Sequence, residues 1–317
     1  MRSMTLIVFA GFYAAARHTV RYADTLAQAL RGKLVLLHVN RAALFDTYAL
    51  MGEGYHQEAL SRETDTEAAL HQLAEELPTR PTVEVATDLL PAVAQDLVAR
   101  HRPALFVLSQ PDDTHPSAIS IATACADLLR AGNYPLLVVP SKTPINQVPT
   151  RILLAVDREP FELSADAQDL HALFALPGVK LFVAHISDGV ADDAGCAAAL
   201  HAVQLSGLLK EGVRPPELRG YEYDDYAQGL LAAVQDIQAD LVVVLARQRS
   251  YLGEVFHRSV TARLLEQCPV PVLVLPTAPE KTPKTESPLA STVAQWTTGV
   301  LAGLAPAARS HYDMPKN

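Results

Sequence analysis

The sequence has few cysteines, no excess of basic residues and no long apolar run. Its three cysteines, Cys125, Cys196 and Cys268, are odd in number and far apart, which argues against a disulfide framework or a cysteine-rich zinc site. Lys and Arg number 26 against 35 Asp and Glu, a formal net charge of -9, so the basic face that nucleic-acid binding requires is lacking. No run reaches the roughly 18 apolar residues of a membrane-spanning helix. We therefore expect a cytoplasmic protein that binds neither nucleic acid nor membrane.

The N-terminus has the outline of a secretory signal peptide. MRSMTLIVFAGFYAAARH contains a basic residue, an apolar stretch and an alanine-rich exit. A similar segment, RILLAVDREP, returns at Arg151, inside the chain, where no signal peptide can lie. We therefore interpret residues 5–10 as the first strand of a domain.

The chain contains the same pattern twice. PALFVLSQPDDTHPSAISIATACADLLRAGNYPLLVVP, residues 103–140, aligns without a gap with ADLVVVLARQRSYLGEVFHRSVTARLLEQCPVPVLVLP, residues 239–276. LIVFAGF likewise corresponds to ILLAVDR, and KLVLLHVN corresponds to KLFVAHIS. We predict two copies of one domain, residues 1–142 and 150–277, joined by the proline-bounded linker SKTPINQVPT. A chain of 317 residues, 49% of them hydrophobic, is long enough for two cores.

Each copy alternates short apolar runs with helical patterns. In the second copy we predict strands near 151–156, 179–186, 218–223, 241–245 and 271–275, and helices near 162–175, 190–211, 226–238 and 254–267. Continuous Val, Leu and Ile runs are typical of parallel strands buried on both faces. The predicted fold class is α/β, with two tandem Rossmann-like domains, each a doubly wound, five-stranded, mostly parallel sheet, plus a C-terminal tail. Ligands of such sheets bind at the carboxyl ends of the strands, here the loops after residues 10, 109, 156 and 245.

Residues 278–317 differ in composition from the two copies. TAPEKTPKTESP is rich in Pro, Thr and Lys, so we predict a mostly disordered tail. A short helix over 289–304 is indicated by an apolar stripe at helical spacing, formed by Leu289, Val293, Trp296, Val300 and Leu304. This helix either docks on a partner or on the protein's own groove, or is a weak helix without a role. It lacks Lys and Arg, which argues against membrane binding.

Two stretches resemble the universal stress protein family. DLVVVLARQRSYLGEVFHRSVTARLLEQCPVPVLVLP is similar to the C-terminal half of its domains, and ILLAVD with HI is similar to their first two strands. The resemblance covers nearly all of residues 1–277 and is most specific in SVTARLLEQCPVPVLVLP. It implies a Rossmann-like domain, often paired as a dimer or in tandem, with the last strands pairing across the two domains. Here these strands would be YPLLVV and VPVLVL, whose edges would otherwise be exposed. A homodimer and unidentified protein partners are further expectations.

The glycine motif of the nucleotide-binding members is missing from both copies. Those members carry Gly-x2-Gly-x9-Gly-(Ser/Thr) after the fourth strand, where the glycines let the backbone approach phosphate. In the second copy these positions hold Leu245, Gln248, Arg258 and the hydroxyl residue Ser259. In the first copy they hold Ser109, Asp112, Ala122 and the hydroxyl residue Thr123. The resemblance therefore implies that the chain does not bind ATP in the usual way, and that no cofactor is expected.

The second copy keeps features that leave an alternative open. The acidic residue that helps to hold adenosine in the family is present as Asp157, whereas the first copy has Gly11 there. Basic residues cluster in the loop, namely Arg247, Arg249, His257 and Arg258. Arginine can grip phosphate by forked hydrogen bonds, although these side chains could equally be solvated or pair with acids such as Glu254. The candidate residues for ATP, AMP or another adenine nucleotide are Asp157, Arg249, Arg258, Ser259 and Thr261.

The sequence shows no catalytic constellation. Its 11 histidines are scattered without metal-ligand spacing, and GxSxG and Walker patterns are absent. His38 and His185 occupy equivalent places in the second strands, where a core or strand-end role is the common one. In YEYDDY, Asp224 or Asp225 is expected to cap a helix. We therefore predict a non-enzymatic stress-response protein that acts through protein contacts. The alternatives are a nucleotide- or small-anion-binding module in the second copy, and weak hydrolase or nucleotidyl chemistry on the same sheet.

Overall fold

The computed structural model describes residues 3–10, 14–39, 53–86, 90–110, 121–188, 192–210, 212–247 and 260–278. The first half of the chain contributes β1 (Thr5–Phe9), α1 (Ala14–Ala29), β2 (Lys33–Val39), α2 (Glu53–Glu76), β3 (Thr82–Ala86), α3 (Leu90–His101), β4 (Ala104–Ser109), α4 (Ile121–Gly132) and β5 (Leu136–Val139). The tail, including the helix predicted over 289–304, lies outside the described residues.

The second half repeats this order of elements. It contributes β6 (Arg151–Ala155), α5 (Ala165–Gln168), α6 (His171–Phe174), β7 (Lys180–Ser187), α7 (Asp193–Leu205), β8 (Glu217–Glu222), α8 (Tyr226–Ile237), β9 (Leu241–Ala246), α9 (Val260–Gln267) and β10 (Val272–Pro276). The strands follow the apolar runs of the sequence closely because continuous Val and Leu segments satisfy a strand that is covered on both faces.

All described strands belong to one ten-stranded sheet, in the order β3-β2-β1-β4-β5-β10-β9-β6-β7-β8. Neighbouring strands are parallel within each half, and β10 lies antiparallel to β5 with Leu273 opposite Leu137. The α/β fold class and the pairing of the last strands are therefore confirmed. Because the seam is antiparallel, the carboxyl ends of the strands lie at opposite edges of the sheet in the two halves. Residues 1–279 form one compact unit, and the predicted domain boundaries stay a prediction.

Helices cover both faces of the sheet. Along β1, Leu6 and Val8 belong to one buried cluster, and Ile7 between them belongs to the other. Each cluster extends through both halves, since Leu275 joins the first and Val274 the second. This alternation follows from the two-residue period of a strand, and it places apolar side chains under helices on either side. The result is a three-layer α/β/α arrangement.

The helix predicted over residues 162–175 is wrong in its extent, because the structure has two four-residue helices, α5 and α6, in that span. No helix forms between β6 and Ser164, where Leu163 bridges to Thr277 and the Ser164 N–H donates to the carbonyl of Pro276. The Ser164 hydroxyl then caps α5 by accepting from Ala167. Long-range contacts with the end of β10 thus delay the helix, and the local sequence pattern could not reveal them.

Candidate functional site

The candidate site lies at the carboxyl ends of β6 and β9. These two strands are neighbours in the sheet, and β6 pairs with β9 on one side and with β7 on the other. In doubly wound sheets the chain reverses its winding direction at this point, and a crevice opens between the loops. Asp157 is the second residue after β6, and Arg247 is the first residue after β9. Strand order therefore brings together two charged residues that are 90 positions apart in the sequence.

Arg247 and Asp157 form a forked ion pair across this crevice. Nη2 of Arg247 donates to Oδ1 of Asp157 at 2.6 Å, and Nε donates to Oδ2 at 3.2 Å. The Arg247 side chain is only 9% exposed, whereas that of Asp157 is 52% exposed. Asp157 is also fixed locally, since it accepts the backbone N–H of Glu159 at 3.0 Å. The guanidinium of Arg247 is therefore hydrogen-bonded to the carboxylate, Asp157, for which contact with adenosine is predicted.

Backbone carbonyls hold the same guanidinium from the loop that follows β6. Nη2 also donates to the carbonyl of Glu159 at 2.9 Å, and Nη1 donates to the carbonyl of Pro160 at 3.2 Å. The Glu159 carboxylate lies 3.6 Å from Nε. A guanidinium has five N–H donors, so these contacts leave little capacity for a phosphate. The Arg247 side chain is therefore held by contacts within the protein and is not a solvated side chain.

The loop itself is tied down beyond Pro160. Besides the Leu163–Thr277 bridge, the Ala278 N–H donates to the carbonyl of Glu162 at 2.7 Å. The Thr277 N–H in turn donates to the carbonyl of Ala246, the residue that precedes Arg247. Residues 157–164, which we call the crevice loop, are thus held between the ends of β9 and β10. The loop and Arg247 together close this part of the crevice.

A second polar cluster follows β7, next to the crevice loop. Asp192 accepts the backbone N–H of Gly195 at 2.8 Å and caps α7, and it lies 3.3 Å from Nε2 of His185 and 3.4 Å from Arg158. The Gly195 N–H is the largest cause that lowers the pKa of Asp192, and His185 and Arg158 contribute in the same direction. A Cβ at position 195 would collide with the Asp192 carboxylate and with Nε2 of His185, so a larger residue there would force these side chains to move.

His185 is buried at the end of β7 and makes this contact from the strand. Its Nδ1 atom is buried and finds no hydrogen-bond partner among the described residues. The sequence suggested a strand-end histidine held by the backbone, and the structure instead places a carboxylate against its Nε2 atom. The contact positions the first turn of α7 against the sheet.

The three cysteine thiols lie in surroundings that disfavour the thiolate. Burial raises the pKa of all three cysteines, that of Cys268 to about 11. Asp192 and Asp193 add to this effect at Cys196, which lies in the first turn of α7. A raised pKa keeps a thiol protonated at neutral pH, and only the thiolate attacks. Among the described residues, moreover, no group of three or more His, Cys, Asp and Glu side chains could hold a metal ion.

The other predicted site residues are placed less completely. Thr261 is the second residue of α9 and is partly buried. Arg249, Arg258 and Ser259 lie outside the described residues, as do His257 and Glu254. The five candidate binding residues therefore stay a prediction. The sequence suggested solvent or acids such as Glu254 around Arg247 and did not predict Asp157 as its partner. A signal was available, because Arg247 and Asp157 follow strands that are adjacent in a doubly wound order.

One predicted cap is confirmed in the turn after β8. Asp225 accepts the backbone N–H of Gln228 at 3.0 Å and starts α8. Its carboxylate also accepts a hydrogen bond from Nη1 of Arg263 at 2.5 Å, and this contact is the main cause that lowers the pKa of Asp225.

Within the part of the chain that is described, every helix is too short or too polar to span a bilayer.

Comparison with known proteins agrees with this fold. The sequence model of the universal stress protein family matches residues 149–276. The crystal structure of a universal stress protein from Archaeoglobus fulgidus DSM 4304 is similar at a TM-score of 0.61 and 14% identity, covering 86% of this chain and 96% of that chain. A putative universal stress protein from Pseudomonas aeruginosa UCBPP-PA14 is 18% identical at a TM-score of 0.48, and the alignment covers 87% of this chain and 94% of that chain. A protein of unknown function from Pseudomonas aeruginosa PAO1 is 17% identical at a TM-score of 0.46, and the alignment covers 86% of this chain and 92% of that chain.

The first of these structures shows that the fold is shared over most of the chain. No curated protein sequence is significantly similar to the sequence of this chain. The family match lies in the second half, where the specific stretch SVTARLLEQCPVPVLVLP is found, and the first half repeats the same order of elements. Residues 149–276 therefore carry a domain of the universal stress protein family.

Proposed function

We propose that this chain is a cytoplasmic stress-response protein that acts through protein contacts, catalyses no reaction and does not bind ATP in the manner usual for its family. The observation that carries the proposal is the forked ion pair between Arg247 and Asp157. Asp157, the carboxylate to which the family resemblance assigns contact with adenosine, is engaged by a side chain of the same protein. A nucleotide would have to compete with a buried guanidinium for this contact.

The energetic argument concerns the guanidinium that a nucleotide would displace. Removing Asp157 from Arg247 would leave a charge that is largely buried, and uncompensated buried charges are costly, about 3–5 kcal/mol where burial is complete. The carbonyls of Glu159 and Pro160 hold Arg247 in place and so oppose its movement. The first glycine position of the family motif is Leu245, whose side chain adds bulk near the phosphate position. Both effects disfavour a nucleotide in the second half.

Isothermal titration tests this proposal directly. ATP and AMP titrated into the wild-type protein, up to millimolar concentrations, are expected to give no saturable heat. The same titration of Arg247→Ala tests whether the ion pair excludes the nucleotide. Arg263→Ala is the matched control, since it removes an arginine whose partner, Asp225, caps α8. Binding to Arg247→Ala alone would support exclusion by the pair. Micromolar binding to the wild type would overturn the proposal and favour a nucleotide-binding module that uses Arg249, Arg258, Ser259 and Thr261.

The absence of catalysis is tested separately. Incubation of the wild-type protein with ATP is expected to release phosphate at the background rate. Release above background that disappears in Ser259→Ala would contradict the proposal and indicate hydrolase chemistry in the second half.

A further inference from the structure

β8 is the outermost strand of the sheet in the second half, so only one of its two edges pairs with another strand of the sheet. In a parallel pair, alternate residues direct their backbone groups to the neighbouring strand. The Tyr223 N–H donates to the carbonyl of Ser187, and the Ser187 hydroxyl donates to the carbonyl of Tyr221, so the odd-numbered residues face β7. The backbone groups of Leu218, Gly220 and Glu222 therefore point outward, where no described strand pairs with them. Such a row is a template for another strand.

The opposite edge of the sheet, β3, differs from β8 at equivalent positions. Val85 pairs with His38 in the first half, and Gly220 pairs with His185 in the second half. At Gly220 a Cβ would lie 3.0 Å from Sγ of Cys196, so the packing of α7 on the face of the sheet explains this glycine. The carboxylate of β3, Glu84, is already paired with Arg100 at 2.7 Å and with His101. The carboxylate on β3 is therefore already matched by basic side chains of the chain itself.

Aromatic and acidic side chains surround the end of β8. Tyr223 and Tyr226 are 39% and 49% exposed, among the few large apolar side chains exposed in the described residues. Glu222 and Asp224 are exposed beside them, and neither forms an ion pair with any described residue. Tyrosine rings attract cations through their faces, and carboxylates attract them by charge. The surroundings of this edge therefore fit a partner that is positively charged.

We propose that β8 is a docking edge for an extended, positively charged polypeptide segment. The segment adds as a strand beside Leu218, Gly220 and Glu222, and its Arg or Lys side chains contact Asp224 and the two tyrosines. A second copy of this chain fits less well, because the one basic residue of β8, Arg219, is already paired with Glu217 at 2.8 Å. A nucleic acid fits poorly, because its phosphates carry the same charge as the carboxylates around this edge. The inference rests on the proposed function in protein contacts and names the class of partner.

The test uses a fluorescent peptide of about ten residues that alternates arginine with valine, as strand-adding ligands do. Fluorescence anisotropy with the full chain is expected to show saturable binding that weakens about tenfold in the variant Glu222→Lys/Asp224→Lys. The matched control, Glu75→Lys/Glu76→Lys, makes the same change of net charge on exposed residues of α2 and should leave affinity within about twofold. A peptide with methylated backbone nitrogens keeps the charges and removes strand pairing, so it should bind about tenfold more weakly.

Several results would overturn the inference. Equal binding of the methylated peptide would mean that charge alone attracts the ligand, and equal weakening by the α2 control would mean that the attraction is not local. Failure to bind below about 1 mM would exclude this partner class. Dimers seen by light scattering that dissociate in Glu222→Lys/Asp224→Lys would make a second copy the occupant. None of these measurements involves a nucleotide, so this inference can fail while the absence of ATP binding holds, and the reverse.

Discussion

The two halves of the sheet place different residues at the same point of the same fold. In the second half, Asp157 and Arg247 follow β6 and β9 and bridge the crevice. The gapless repeat gives Gly11 and Pro111 at the corresponding sequence positions of the first half, so no such pair can form there. In the first half the Ser109 hydroxyl, at the end of β4, donates to Thr19 of α1 at 2.9 Å. Backbone topology therefore creates the crevice twice, and side chains decide separately how each one is used.

The connection between the first two strands shows a related difference. In the first half it contains α1, a helix of 16 residues, and in the second half it contains two helices of 4 residues each. The crevice loop of the second half is bound to Arg247 and to the end of β10, so part of its length is extended before α5 can begin. The ion pair and the late start of α5 thus involve the same loop, which is held at the ends of β9 and β10.

The largest expected effect concerns the seam that joins the halves. Leu273 is fully buried opposite Leu137, so Leu273→Ala should lower the free energy of unfolding by about 2–5 kcal/mol. Because the sheet is continuous, urea unfolding followed by circular dichroism should show a single transition at lower urea. Leu205→Ala, at an exposed leucine of α7, is the control and should change stability by less than about 0.5 kcal/mol. Two separate transitions would mean that the halves unfold independently and would break the view of one sheet.

A smaller effect is expected from the pair that distinguishes the halves. Asp157→Ala leaves a buried guanidinium without its carboxylate and should cost about 2 kcal/mol, below the range for fully buried pairs because Asp157 is half exposed. Arg247→Met keeps much of the apolar stem and leaves a carboxylate that water can reach, so it should cost about 1 kcal/mol. Urea unfolding of both variants and of the double variant checks this, and the double variant should lose less than the sum. Equal losses, or simple additivity, would show that the pair contributes little in the second half.

The sequence predicted the strands of the second half well and the crevice poorly. The predicted strands 151–156 and 241–245 differ from β6 and β9 by one residue at one end, because an apolar run bounded by charged residues defines a buried strand locally. The late start of α5 depends on Thr277, more than a hundred residues away in sequence. The pairing of Arg247 with Asp157 likewise depends on the order β9-β6 in the sheet. Local patterns carry no information about either contact, so both needed the structure.

The smallest expected effect lies at the end of β7. Asp192 has a lowered pKa in the folded protein, so its contribution to stability is present above the unfolded pKa of about 3.9 and is lost as the pH falls through the lower folded value. Asp192→Asn keeps an acceptor for Gly195 but cannot titrate. Urea midpoints measured between about pH 5 and pH 2 should therefore depend less on pH in this variant than in the wild type. Asp193→Asn, at the exposed next residue, should retain the wild-type slope. An unchanged slope in Asp192→Asn would mean that the contacts with Gly195, His185 and Arg158 do not favour the charged carboxylate, and that this edge of the second half resists acid by other means.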